Sequence, residues 1–168
     1  FWEAFGAVNR GWALIGLKST EEGVALMHHG MKAVQPTGAT LSQSMNLFIL
    51  AEVCCSSGRI EQGFDLIEQG FALVERTGER AWEAELYRVK GELILQQGRG
   101  RRWEVGVSDP QVSSLKPQTP GEALREAEKC FLKAIEIAQR QEAKMFELHA
   151  TMALARLWHP QGKHHTAR

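Results

Sequence analysis

The strongest constraint on this chain is a repeat of small residues. In Glu22–Val34, Gly23 and Gly30 stand seven apart and flank Met27. In Gln62–Val74, Gly63 and Gly70 flank Ile67, 40 residues further on. A third copy, Glu122–Ala138, has Ala127 and Ala134 around Phe131. There Leu124, Ala127, Phe131, Ala134 and Ala138 recur at spacings of 3 and 4, the stripe of a helix that buries one face. A small residue on such a stripe lets another helix backbone come close. A chain that repeats this arrangement is expected to be built from packed helix pairs.

The turn residues give the register. Lys18, Gly58 and Gly98 are 40 apart, and each falls where one helix of a pair gives way to the next. Gly58 and Gly63 enclose four residues, whereas Gly98 and Ala127 enclose 28. The third repeat therefore carries 24 extra residues between its two helices. The repeats are placed at about 1–38, 39–78, 79–141 with an insertion at 99–119, and 142–168, the last one cut.

In order, helices are expected over about 4–17, 21–35, 40–57, 59–76, 79–97, 120–141 and 143–158. Pro36-Thr37-Gly38 stops the second, Gly98 ends the fifth, and Pro160-Gln161-Gly162 closes the seventh. The third is apolar on most sides and should be central. The sixth opens on Thr119 as N-cap, Pro120 in the first turn and Glu122 at the capping-box position. Arg99–Thr119, with Gly100, Gly106, Pro110 and Pro117, reads as a loop. Lys163–Arg168 reads as the start of an eighth helix, and with Phe1 at the front the chain is expected to be a piece of a longer protein. No stretch alternates with period two. The expected fold class is all-α, an α-solenoid of antiparallel helix pairs, right-handed, forming a single domain over 1–168.

Composition excludes several roles. Lys plus Arg equals Asp plus Glu at 20 each, which gives no electrostatic reason to expect nucleic acid or an anionic membrane as partner. No apolar run approaches a membrane span. Cys54, Cys55 and Cys130 do not form a disulfide framework and fit a reducing, cytoplasmic setting. No phosphate-binding glycine loop occurs: Gly162-Lys163 is followed by His164. The six histidines lack Cys-x-x-Cys or His-Glu-x-x-His company, so no metal is expected. Cys130, beside Phe131 on a buried stripe, reads as packing rather than as a nucleophile. Arg99, Arg101 and Arg102 beside Trp103 read as a solubilising loop rather than a phosphate contact. No catalytic residue and no cofactor are expected.

The paired helices resemble tetratricopeptide repeats (TPR). The first repeat supplies Gly11 and Leu14, then Gly23, Met27 and Gly30. The second supplies Leu47, Leu50, Ala51 and Cys54, then Gly63, Ile67 and Gly70. The third supplies Tyr87, Gly91 and Ile94, then Ala127, Phe131 and Ala134, and the fourth Thr151, Leu154, Ala155 and Trp158. Lys90 departs from the pattern, as does a period of 40 instead of 34. WEAELYRVKGELIL, EAEKCFLKAIEIAQRQEAK and ELHATMALARLW further resemble the C-terminal repeat region of large bacterial signalling proteins. In that family the repeats follow an AAA-type ATPase module, with a cyclase or DNA-binding activator domain in front.

That resemblance implies a non-catalytic regulatory scaffold that binds a protein or peptide, or other domains of its own chain. It also implies that the first helix of each pair lines a concave groove. By register, the groove residues are Phe5, Val8 and Trp12; Met45, Phe48 and Glu52; Glu85, Arg88 and Glu92; and His149, Met152 and Arg156. One end is apolar, the other charged, which suits a peptide with an apolar anchor and a polar tail. Two further readings stand beside this. The apolar end is covered by a preceding repeat, or the groove around Trp12, Phe48, Glu52 and Arg88 senses a small-molecule effector. A homodimer through exposed repeat ends is also compatible with the pattern.

Overall fold

The computed structural model describes residues 2–34, 36, 43–100 and 119–161, the side chains of residues 99 and 100 excepted. Among them are seven α-helices and no strand. They are α1 (Trp2–Gly16), α2 (Thr20–Val34), α3 (Gln43–Ser56), α4 (Ile60–Thr77), α5 (Glu83–Gly100), α6 (Pro120–Arg140) and α7 (Lys144–Trp158). A 3-10 turn, His159–Gln161, follows. Most of the expected loop at 99–119, the turn at 37–38 and the eighth helix lie outside the described residues.

Chain neighbours α1 and α2, α3 and α4, α5 and α6, and α6 and α7 pack on one another, and α5 also touches α3, α4 and α7. The turns explain the pairing. Lys18 (φ 68°), Gly58 (φ 75°) and Glu142 (φ 55°) all adopt the left-handed conformation. In each, the next residue's N–H reaches a carbonyl five residues back: Ser19 to Leu14, Arg59 to Cys54 and Ala143 to Ala138, all at 2.9 Å. These are Schellman-type closures, which cap one helix and reverse the chain at once. Gly58 adopts this φ without steric cost, whereas Lys18 and Glu142 do not.

Two expected boundaries are corrected. The fifth helix begins at Glu83 rather than 79, because the Arg80 guanidinium grips both oxygens of Glu83 at 3.0 and 3.1 Å and its carbonyl accepts from the Glu83 N–H. Gly98 does not end it: α5 continues to Gly100, and at Gly98 the missing side chain makes room for Ala123 of α6, which an added Cβ would meet at 3.2 Å. The α6 stripe is corrected too, since Ala123 is buried while Leu124 faces outward. The N-terminus of α6 is as read. Thr119 Oγ1 accepts from the Glu122 N–H, and the Glu122 carboxylate accepts from the Thr119 N–H at 2.7 Å. That bond holds the Glu122 carboxyl below its ordinary range.

Small residues do two different jobs at the helix contacts. In the first pair, a Cβ on Gly23 would lie 2.6 Å from the Gly11 carbonyl oxygen, and one on Gly11 would lie 2.6 Å from that of Gly23. There backbone meets backbone. In α4, a Cβ on Gly63 or Gly70 would instead strike Leu93 or Leu86 of α5. Gly11 lies against Met27 and Gly91 against Phe131, while Ala51, at the same register, shares a core cluster with Ile67; the three large side chains are fully buried. Lys90, the register's odd residue, rests its ammonium 5.6 Å from the centre of the Phe71 ring. As expected of a central helix, α3 buries residues on all sides, from Ser44 to Cys55.

The backbone contact yields a signed prediction. Gly23→Ala gains about 1 kcal/mol of helix propensity but forces α1 and α2 apart, for a net loss of about 1–3 kcal/mol. Gly6→Ala, whose Cβ meets nothing within 4 Å, should stabilise by about 0.5–1 kcal/mol. Urea unfolding of the two variants should show opposite signs.

Candidate functional site

The register positions of α5 build the centre of the site. Glu85, Arg88 and Glu92 stand at spacings of 3 and 4, so they share one helix face. The Arg88 guanidinium is buried and held by carboxylates from two helices. Its Nε donates to Glu85 Oε2 at 2.8 Å, Nη1 to Glu92 Oε1 at 2.9 Å and Nη2 to Glu52 Oε1 of α3 at 2.8 Å. Nη2 also lies 2.7 Å from Glu85 Oε2. Burial opposes the charge on Arg88, yet Glu85, Glu92 and Glu52 outweigh it and hold its pKa above the ordinary value. Burial, the leading influence on Glu92, raises that carboxyl above its usual range although Arg88 pulls it down. Glu85 is nearly inaccessible. Its Oε1 accepts no hydrogen bond, and His149 Nδ1 of α7 stands 3.5 Å away.

An aromatic wall runs beside this cluster. Phe48 stacks on Trp82 with ring centres 5.5 Å apart, and Trp82 meets Phe146 at 5.3 Å with the planes tilted by 50°. Together the cluster and the wall border a half-open cavity of about 450 Å³. It is lined by α1, α3, α5, α7 and the turn residue Trp82. That volume lies in the range of ligand sites, about 300–1,000 Å³.

Ten of the register-derived groove residues line this one cavity: Trp12, Met45, Phe48, Glu52, Glu85, Arg88, Glu92, His149, Met152 and Arg156. Phe5 and Val8 do not. They face a second cavity, of about 640 Å³, with His28, Lys32, Asn46 and Arg76. Phe5 and Val8 lie about two turns and one turn before Trp12 along α1, so at that end the expected single groove is divided between two cavities. Ile49, Trp82, Met145 and Phe146 also line the main cavity and were not anticipated. Trp82 and Phe146 lie three residues before Glu85 and His149. Extending the same spacing one turn earlier finds both.

The cysteines are not poised for nucleophilic chemistry. Burial pushes the Cys55 thiol up to about 11, with Glu92 and Glu52 adding to the effect. Burial also raises Cys54 and Cys130. Among the described residues no group of three or more His, Cys, Asp or Glu is placed to hold a metal ion, and no helix is long and apolar enough to cross a membrane. Compared with known protein families, with curated proteins and with solved structures, the chain matches none.

Proposed function

We propose that the chain is a non-catalytic, TPR-like solenoid segment that binds a peptide, or another domain of its own protein, in the cavity along its first helices. The parent protein, on this reading, is a cytoplasmic bacterial signalling ATPase of cyclase or activator type, and the segment regulates or scaffolds it. One observation carries the proposal. Residues spaced along four helices by a sequence repeat line one concavity, where aromatic and methionine side chains share the wall with a charge cluster centred on the buried Arg88. Such a surface offers apolar anchoring area and polar specificity together.

The shape also favours a partner larger than the cavity. Trp12, Met145 and Met152 at its rim are 53%, 59% and 43% exposed, so apolar area continues outside it. A small effector filling 450 Å³ is the second reading, favoured by that volume alone. Display selection of random heptapeptides on the protein tests the first. Selected peptides should bind Trp12→Ala plus Met152→Ala at least about tenfold more weakly, since a truncated anchor commonly costs more than 1 kcal/mol. Both side chains are largely exposed, so the fold should survive. Equal binding to this variant, or no selected peptide, overturns the proposal.

A further inference from the structure

The peptide-binding reading leaves open which group the cavity recognises, and the inference here rests on that reading. Arg88 is the natural candidate for gripping an anion, but contacts to carboxylates occupy four of its five N–H groups. Nε and Nη2 go to Glu85, Nη1 to Glu92 and Nη2 also to Glu52. The carboxylates are in the opposite condition. Glu52 and Glu92 bond Arg88 through Oε1 and Glu85 through Oε2, so each keeps its other oxygen outside the Arg88 network. That spare oxygen on Glu85 lies on a side chain only 3% exposed, and it accepts no hydrogen bond. His149 Nδ1 stands 3.5 Å from it, so the oxygens open to an entering donor are those of Glu52 and Glu92, whose side chains are 48% and 28% exposed.

Charge and wall point the same way. Among the lining side chains the carboxylates of Glu52, Glu85 and Glu92 outnumber the guanidinium groups of Arg88 and Arg156. Aromatic rings attract cations, and Phe48, Trp82 and Phe146 line the same cavity as the carboxylates. A lysine side chain matches this layout. Its ammonium has three donors and no acceptor, and its alkyl stem lies well on apolar walls. The exposed rim of Trp12, Met145 and Met152 then supplies contact for apolar neighbours in the same segment. We infer that the cavity takes the ammonium end of a lysine side chain carried on an apolar peptide segment.

Sequencing of the selected heptapeptides reads this out. One position should be enriched in Lys, and replacing that Lys by norleucine should weaken binding at least about tenfold. Glu52→Gln, at a half-exposed side chain, should weaken the Lys peptide and leave the norleucine peptide unchanged. A thermal melt confirms that this variant is folded. Equal affinity of Lys and norleucine peptides, or equal weakening of both by Glu52→Gln, overturns the inference but not the binding-module reading. n-Hexylamine serves as the free-amine arm. It should compete only at concentrations at least about a hundredfold higher than the peptide, because it lacks the rim contacts. Hexylamine binding as tight as the peptide assigns the site to a free amine and overturns the lysine-peptide form. Peptides that bind Trp12→Ala plus Met152→Ala as well as the parent protein remove the binding-module reading itself.

Discussion

Phe131→Ala is expected to destabilise the protein by about 3–5 kcal/mol, the usual cost of removing a fully buried aromatic side chain. The Phe131 ring is inaccessible to solvent and seated against Gly91, where an added Cβ would lie 2.6 Å from Cε1. It is the large side chain of its pair, in one cluster with Ile94, Ala127 and Leu154, and thus joins α5, α6 and α7. Those three helices already pack at short range through alanine and glycine, so they cannot close in to fill the void. The change tests whether α6 docks on α5 across the long insertion as it would after a short turn. Gly91→Ala approaches the same contact from the other side and should cost about 1–3 kcal/mol through overpacking. Adding Phe131→Leu should recover part of that loss, because the smaller side chain leaves room for the new methyl. Urea unfolding at constant slope measures all three. A loss under about 1 kcal/mol for Phe131→Ala would mean that α6 is not held on α5 by this contact.

The repeat carried most of the helix layout, because 40-residue spacing, turn residues and small-residue pairs are written directly in the chain. Its errors have physical causes. Leu124 and Ala123 stand three and four residues before Ala127, and helical period admits both. Only the nearness of Gly98 selects the smaller one. Glycine also marks both helix ends and close helix contacts, so Gly98 was indistinguishable from a stop. The site shows the same division. The register implied by the TPR resemblance located ten lining residues, but Phe5, two turns before Trp12 along α1, borders another cavity. The burial of Arg88 was not legible at all. It depends on Glu52, 36 residues away on another helix, arriving beside Glu85 and Glu92.

Arg88→Leu is expected to cost about 3–5 kcal/mol at neutral pH, the consequence of stripping the counter-charge from a buried carboxylate. Glu85 dominates, because its side chain is 3% exposed and has no water to turn to. Glu52, 48% exposed, contributes little, since solvent screens it. The sign of the pH dependence follows from Glu92. Its carboxyl already lies above the ordinary range in the folded protein, through burial, with Arg88 pulling it down. A group raised on folding lends stability below its unfolded pKa and loses it as pH rises through the folded value. Without Arg88 the pull is gone and the folded value climbs further. The deficit of the variant should therefore be largest at neutral pH and shrink as pH falls through the carboxylate range. Urea unfolding at pH 7.5 and pH 5 compares the two. A deficit equal at both would mean that Arg88 matters through packing volume alone. Adding Glu85→Gln and Glu92→Gln to Arg88→Leu should recover much of the loss, because neutral groups in the same space need no counter-charge. The same triple variant keeps the aromatic wall and lacks the two inner carboxylates. It should retain apolar peptide binding and lose the preference for lysine.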